Sequence, residues 1–445
     1  MKAFKAYDIR GVYGNDFNGE TVYRIGFFLP GLLETEKVLV GYDCRESTPD
    51  VLGHLVQGIT DSGADVYDIG LATTPMVYFA TVVHGFQASV QITASHNPAE
   101  YNGLKISRSD ALPVGYDTGL RELEKIVETG GIQPAVFRGE VKELPGIKAE
   151  YITFLEKSRG DYSNLKFGID CSNGMASLLV RDVFGNEPEY LYDRMDGSFP
   201  NHPPNPLDER NTADLKRLVV DAGLDVGVIF DGDGDRVMFI DEKGRFVRPD
   251  LITGILGIHF LKEEKGRVLH DIRTSRAVIE FIEKLGGRPF MWKVGHSHAK
   301  MKMRELNAIY GGELAGHYYF RNFFNCDSGM LAAILVLNIL SELGETFSRL
   351  IDSINVYSNS GEINFRIDDK ESAMDRVRDY FTGIEKPTAF YDFDGYRVEF
   401  PQWWFNIRPS NTEPYLRLVA EAETPELLKE KLGKIRELIQ KCGGY

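Results

Sequence analysis

Short apolar runs alternate with stretches in which apolar residues recur every three or four positions. Residues 37–43 (Lys-Val-Leu-Val-Gly-Tyr-Asp) read as a buried strand, Thr48–Ser62 as an amphipathic helix and Asp65–Ile69 as the next strand. The order returns at Lys166–Asp170, followed by a helix over Met175–Phe184. It returns again at Arg267–Asp271, followed by a helix over Ser275–Leu285. Further apolar strands are expected at Ala88–Thr93, Val226–Phe230 and Val237–Ile240. Strands that feed helices predict parallel sheets covered by helices. The last hundred residues differ. Glu362–Ile367 alternates like a half-exposed strand and Met374–Phe381 looks helical. Tyr396–Phe400, Trp403–Ile407 and Leu416–Ala420 are closely spaced strands, and Thr424–Lys441 is a charged amphipathic helix. Strands joined by short turns predict an antiparallel α+β module.

A weak repeat runs through the alternating part. Tyr42-Asp-Cys-Arg-Glu-Ser, Ile169-Asp-Cys-Ser-Asn-Gly and His270-Asp-Ile-Arg-Thr-Ser each place an aspartate at a strand end before a helix. Copies at this spacing predict three related α/β domains with mixed, mostly parallel sheets, plus a C-terminal α+β domain. The expected divisions are 1–149, 150–251, 252–354 and 355–445, which suits a chain of 445 residues.

Composition narrows the function. Hydrophobic content of 43% and charged content of 26% are those of a globular protein. The net charge of −15 argues against nucleic acid or an acidic membrane surface as partner, yet leaves room for a local basic cleft. Cys44, Cys171, Cys326 and Cys442 have no Cys-x-x-Cys spacing and read as reduced. The first eight residues carry charge where a secretion signal has its apolar run. Ile25–Leu33 is broken by Pro30 and Gly31 and is too short to span a bilayer. The expected location is the cytoplasm, with no membrane partner.

Two loops concentrate the chemistry. Thr-Ala-Ser-His-Asn-Pro (93–98) presents Ser95 after an apolar strand, and Asp-Gly-Asp-Gly-Asp-Arg (231–236) presents three carboxylates after another. Three such aspartates repel unless a cation neutralises them, and an all-oxygen donor set suits a hard divalent ion such as Mg²⁺. A calcium loop of the helix-loop-helix kind fails twice: its sixth position is Arg236 rather than glycine, and its flanks read as strands. A serine beside the metal points to phosphoryl transfer. Gly-Gly-Glu-Leu-Ala-Gly-His (311–317) holds an acid and an imidazole in a glycine-rich loop. Arg-Pro-Ser-Asn-Thr-Glu-Pro (408–414) offers a phosphate cradle of one guanidinium and neutral donors.

With Ala-Tyr-Asp-Ile-Arg-Gly (6–11), these motifs resemble, in order and over essentially the whole chain, the α-D-phosphohexomutase family, in its phosphomannomutase/phosphoglucomutase branch. The resemblance implies four domains around a central cleft. It implies Ser95 as the phosphoserine that donates and regains the phosphoryl group. Asp231, Asp233 and Asp235 would be the Mg²⁺ ligands, joined by a phosphate oxygen on Ser95. Glu313, Ala315 and His317 would form the sugar loop, and Arg408, Ser410, Asn411 and Thr412 the phosphate loop. Tyr7, Arg10, His96 and Lys105 match active-site positions of the first domain. Arg276, Lys293, Gly295, His296 and Ser297 match the third-domain lining. Many relatives have serine where this chain has Ala315. Leu314 and Asn411 depart from the glucosamine-phosphate branch and favour mannose or glucose phosphate. The implied reaction interconverts hexose 1- and 6-phosphates through a hexose 1,6-bisphosphate, in a monomer or dimer. Lys105 is the first choice of general base, ahead of His96 and His317, and it would need a depressed pKa. The alternatives are a phosphoglucosamine mutase and a Mg²⁺-dependent sugar-phosphate phosphatase.

Overall fold

The computed structural model describes residues 1–410 and 415–443. Four sheets follow one another along the chain. The first has the spatial order Ile9–Val12, Tyr101–Arg108, Ala88–Ile92, Lys37–Tyr42, Asp65–Leu71, Val141–Glu143. The last four of these run parallel, and Tyr101–Arg108 is antiparallel to both of its neighbours. The second sheet pairs Phe167–Asp170 in parallel with Val226–Phe230 and Glu189–Leu191, and continues antiparallel through Val237–Asp241. The third pairs Arg267–Asp271 in parallel with Arg288–Trp292 and Tyr310–Gly312, then antiparallel to Tyr318–Phe320. The fourth is antiparallel, built on Trp403–Pro409 and Tyr415–Ala422, with helices Lys370–Ile384 and Pro425–Gln440 against it.

The repeat has a structural meaning. Each strand-end aspartate accepts the backbone N–H two residues on: Arg45 to Asp43 at 3.1 Å, Ser172 to Asp170 at 2.8 Å, Arg273 to Asp271 at 2.7 Å. This is an Asx-turn, which lets a strand turn out of its sheet with its last amides satisfied.

One apolar cluster joins the three α/β sheets. It runs from Leu39, Met76 and Phe79 through Ile169 and Phe230 to Ile255, Tyr310 and Leu335. The fourth domain has its own core around Val377, Phe381, Trp403, Phe405 and Ile435. It meets the third domain through polar groups. Arg397 donates to the carbonyls of Ile272 (2.8 Å) and Thr274 (2.7 Å), and Glu421 accepts the Arg276 N–H (2.9 Å) and Trp404 Nε1–H (2.8 Å). Polar interfaces of this kind join units that keep separate cores.

The helix expected over Met175–Phe184 is split into a 3₁₀ turn, Met175–Leu178, and a short α-helix, Val180–Phe184. Met175 N–H, at the start of the first turn and so without an acceptor in its own helix, donates to the Gly232 carbonyl at 2.8 Å and ties that turn to the aspartate loop. Among the described residues no single helix is long and apolar enough to cross a membrane. The apolar pair Gly329–Leu343 and Phe347–Ile354 is bent by 98° and packs into the core.

Candidate active site

The strand Ala88–Ile92 is buried throughout and delivers Ser95 into the interior, where it is 1% exposed. Ser95 sits in the left-handed region at φ 50°, a conformation that costs a non-glycine residue roughly 1–3 kcal/mol. Its loop is pinned accordingly. Ser95 N–H donates to Thr93 Oγ1 at 2.9 Å, and Thr93 Oγ1 donates to Asp43 Oδ2 at 2.6 Å. The Arg45 guanidinium donates to four carbonyls around the serine: Ser95 (2.8 Å), Asn97 (2.7 Å), Pro98 (2.5 Å) and Tyr101 (3.0 Å). Phe199 of the second domain covers it at 4.9 Å.

The antiparallel strands Val226–Phe230 and Val237–Asp241 carry the aspartate loop. Gly232 lets it approach the serine, because a Cβ there would stand 2.5 Å from the Ser95 carbonyl oxygen. Ser95 Oγ donates to Asp231 Oδ2 at 2.9 Å, while Asp231 Oδ1 accepts the N–H groups of Gly234 and Arg236. Thr74 Oγ1 and Lys105 Nζ both donate to Asp233 Oδ2 at 2.5 Å, and Lys105 Nζ donates also to Asp235 Oδ2 at 2.5 Å. The three aspartates bring one oxygen each within 4.8 Å of one another. Oδ1 of Asp233 and Oδ1 of Asp235 are buried with no hydrogen-bond partner among the described residues. Burial and the two neighbouring carboxylates push the Asp231 carboxyl well above its ordinary range. Asp233 is also penalised by burial, but Lys105 and Thr74 outweigh this and hold it low. Orphaned anionic oxygens under mutual repulsion fit a hard divalent cation.

The other first-domain residues surround this triad. Burial, then Arg236 and Arg10, hold the His96 imidazole well below its ordinary pKa; its Nδ1 lies 3.3 Å from Ser95 Oγ. Arg10 pairs with Asp8 and donates to Asn97 Oδ1 at 2.9 Å. Lys105 departs from the expectation. Burial works to lower its pKa, but Asp233 and Asp235 outweigh burial and raise it, so in this arrangement Lys105 is the carboxylates' counter-ion.

The third domain presents the glycine-rich loop. Leu314 N–H donates to Asp271 Oδ2 at 2.8 Å and fixes that loop on the strand-end turn. Glu313 is 3% exposed. Its Oε1 accepts the Gly295 N–H at 2.7 Å and its Oε2 accepts the Tyr319 hydroxyl at 2.9 Å. Burial raises its pKa. Both oxygens keep a lone pair for a ligand hydroxyl. His317 meets the aspartate loop through a backbone bridge to Arg236 and its Nδ1 lies 3.8 Å from Asp235 Oδ1. Ala315 and Lys293 are half-buried nearby in sequence. Gly295, at φ 123°, lets the Tyr7 ring approach where a Cβ would clash at 2.6 Å; Tyr7 donates to the Val294 carbonyl at 3.1 Å. The rings of Tyr7 and His296 lie 5.8 Å apart, and His296 Nδ1 and Ser297 Oγ are buried without partners. Arg276 is a correction. Its guanidinium is used on the carbonyls of Phe400 (2.9 Å) and Pro401 (3.0 Å), so it ties the fourth domain to the third instead of lining the substrate space.

In the fourth domain Arg408 is 3% exposed, with Nη1 3.6 Å from Asp394 Oδ1 and Nε buried without a partner among the described residues. Burial and Arg273 lower its pKa. Arg273 pairs with Asp271 (2.7 Å) and with Glu362 (2.9 Å), which also takes Arg417 (3.0 Å). Ser410 N–H donates to the Tyr415 carbonyl at 2.8 Å. Asn411 and Thr412 lie outside the described residues. The sequence reading missed Arg45, Thr74 and Arg273. The strand-end repeat was the one signal for the two arginines, because each falls two places after the repeated aspartate.

A serine held against a carboxylate triad, with an arginine cluster elsewhere in the same chain, has the parts of a phosphoryl-transfer enzyme. Known proteins place it further. The models for phosphoglucomutase/phosphomannomutase alpha/beta/alpha domains I, II and III match residues 1–132, 149–244 and 248–357, and the C-terminal domain model matches 362–438. A phosphomannomutase of Salmonella montevideo is 36% identical over 99% of this chain and 98% of its own. A protein described as "phosphohexose mutases" from Xanthomonas campestris is 37% identical over 99% of each. A solved phosphoglucomutase/phosphomannomutase family protein of Burkholderia thailandensis superposes with a TM-score of 0.88 at 27% identity, covering 99% of this chain and 98% of that one. The chain belongs to the phosphoglucomutase/phosphomannomutase family.

Proposed function

We propose that the chain is a phosphohexomutase that interconverts the 1- and 6-phosphates of mannose, glucose or both, through phospho-Ser95 and a hexose 1,6-bisphosphate. The observation that carries this is the Ser95 hydroxyl, buried and 2.9 Å from Asp231 in a triad with two orphaned oxygens. O1 and O6 lie at opposite ends of a hexose, so one bound geometry cannot move phosphate between them. A resident phosphoryl group removes the difficulty. Phospho-Ser95 gives its group to the free hydroxyl, the bisphosphate turns round, and the other phosphate returns to Ser95.

Asp231, Asp233 and Asp235 would hold Mg²⁺, with a phosphate oxygen on Ser95. The ion would offset charge on the transferring group. Arg45 keeps the Ser95 loop in place for in-line attack. His317, whose Nδ1 is 2.6 Å from Asp327 Oδ2, is arranged to take the proton of the attacking hydroxyl. Lys105, paired with Asp233 and Asp235, offsets part of the charge of the carboxylates that would hold the ion. Glu313 accepts from sugar hydroxyls, and Arg408, Ser410, Asn411 and Thr412 hold the phosphate that is not reacting, whichever carbon carries it. His96, Arg10, Tyr7, Lys293, Gly295, His296, Ser297 and Ala315 line the space between. The enzyme acts on small sugar phosphates in the cytoplasm.

The test is a coupled assay with mannose 1-phosphate, glucose 1-phosphate and glucosamine 1-phosphate, plus mass analysis after treatment with glucose 1,6-bisphosphate. Conversion of the first two and phosphate on Ser95 are expected. Release of inorganic phosphate without isomerisation would show a phosphatase instead.

A further inference from the structure

One fully buried cation takes no part in the reaction above. Lys300, on helix His296–Leu306, has no exposed surface. Its ammonium lies 2.8 Å from Asp327 Oδ1 and 3.5 Å from the centre of the Tyr78 ring. The approach to Asp327 is ionic, since its angle falls short of a directed hydrogen bond. Tyr78 and Thr74 share one face of helix Thr74–Val83, and Thr74 donates to Asp233. One helix of the first domain therefore touches both the aspartate loop and Lys300.

Asp327 connects Lys300 to the site, since its other oxygen takes His317 Nδ1 at 2.6 Å. Burial penalises this carboxylate, but Lys300 and His317 outweigh the penalty and hold its pKa far below the ordinary range. A carboxylate that accepts here takes the hydrogen on Nδ1, so Asp327 holds the His317 ring by that nitrogen and the other ring nitrogen, Nε2, is the one left to face elsewhere. Asp235, His317 and Asp327 also bring ligand atoms within 4.8 Å of one another. A second cation could balance such a donor set; here a covalently attached ammonium does so.

We propose that Lys300 is a positioning residue: it keeps Asp327 as the acceptor for His317 Nδ1 and so fixes which ring nitrogen His317 offers to substrate. The proposal rests on the mutase reading. Without Lys300, Asp327 is a buried, unbalanced carboxylate that takes up a proton or turns away. An Asp327 that turns away gives up the 2.6 Å contact by which it orients the His317 ring.

The experiment is a cycle of Lys300→Met, Asp327→Asn and the double variant in the full chain, with kcat and KM for glucose 1-phosphate. Lys300→Met is expected to lower kcat about 10²-fold with KM changed less than about threefold. In the Asp327→Asn background it should change kcat less than about threefold, because the path it acts through is already cut. Lys300→Gln keeps a donor toward Asp327 and should recover part of kcat; it also carries the cycle if the Met variant does not fold. Histidine-labelled protein should show the His317 Nδ1–H tautomer by NMR in wild type and lose it in Lys300→Met. Independent, multiplying effects in the cycle, or an unchanged tautomer and kcat in Lys300→Met, would overturn the proposal. Absence of mutase turnover in wild type would overturn the mutase reading instead, and the NMR comparison would still decide the role of Lys300.

Discussion

At Ser95 one lysine serves two of three aspartates, Asp233 and Asp235, at hydrogen-bond distance, with Arg236 further off at 3.8 Å from Asp231. Around Arg408, three arginines (Arg273, Arg408, Arg417) are matched against Asp271, Glu362 and Asp394. The first region is anionic, locked by backbone from three domains and short of a cation. The second is balanced in charge, and its carboxylates stand where they compete with an anionic ligand. On the proposed function, the first makes and breaks bonds to phosphorus and the second holds an anion and lets it go. Damage to the first should therefore appear in kcat and damage to the second in KM.

The largest test of that division is Ser95→Ala. It should lower turnover by about 10⁴-fold or more and abolish phosphorylation by glucose 1,6-bisphosphate, measured by intact mass. Full turnover without added bisphosphate would remove Ser95 from the reaction. Asp233→Asn comes next. It keeps the shape but removes charge, so turnover should fall by about 10³-fold and the metal needed for half-maximal activity should rise. An unchanged metal titration would place the cation elsewhere.

Arg45→Met tests whether the reacting end depends on its support. Four carbonyls lose their donor and Asp43 loses its ion-pair partner, keeping the hydroxyls of Thr48 and Thr93. The protein should be destabilised by about 3–5 kcal/mol, and kcat should fall about 10²-fold with little change in KM. Denaturant melts and kinetics below the melting range separate the two effects. An increase in KM alone would blur the division drawn above.

Arg408→Ala probes the holding end. KM should rise roughly tenfold for both the 1- and the 6-phosphate, since charge-assisted bonds contribute about 1.5–3 kcal/mol, and Ser95 should still be phosphorylated. A defect for one monophosphate only would show that the arginine meets phosphate in a single orientation. The smallest effect is the most pointed. Asp394 lies 3.6 Å from Arg408 and also accepts the Val294 N–H at 2.8 Å. Asp394→Asn keeps an oxygen for that N–H and removes the competing charge, so KM should fall about twofold to threefold. A higher KM would show that Asp394 orients Arg408 rather than competing for it.

Sequence reading named Ser95 and the three aspartates, which the structure brings together, because their signals are local. Glycine-spaced aspartates on one loop and a serine in Ser-His-Asn-Pro each stand out within six residues. It missed what is assembled from afar: Arg45 on the loop of Ser95, Asp327 behind His317, and Arg276 turning to the fourth domain. No spacing along the chain encodes those meetings. Helices Pro249–Glu263 and Gly329–Leu343 also left no amphipathic signal, since most of each is buried. Helix Gly19–Leu32 was obscured by Pro30, which sits in its last turn.

The strand-end turns carry one more consequence. In each α/β domain the aspartate bonds its own backbone two residues on, so the turn needs nothing from the side chain at that place. Arg45 there steadies the reacting loop. Ser172 bonds the Phe230 carbonyl at 2.6 Å. Arg273 reaches Glu362 in another domain. A unit copied within a gene would inherit the bend intact and could change its employment by altering one codon. Self-sufficiency of the backbone at that corner is what lets siblings diverge without first unfolding.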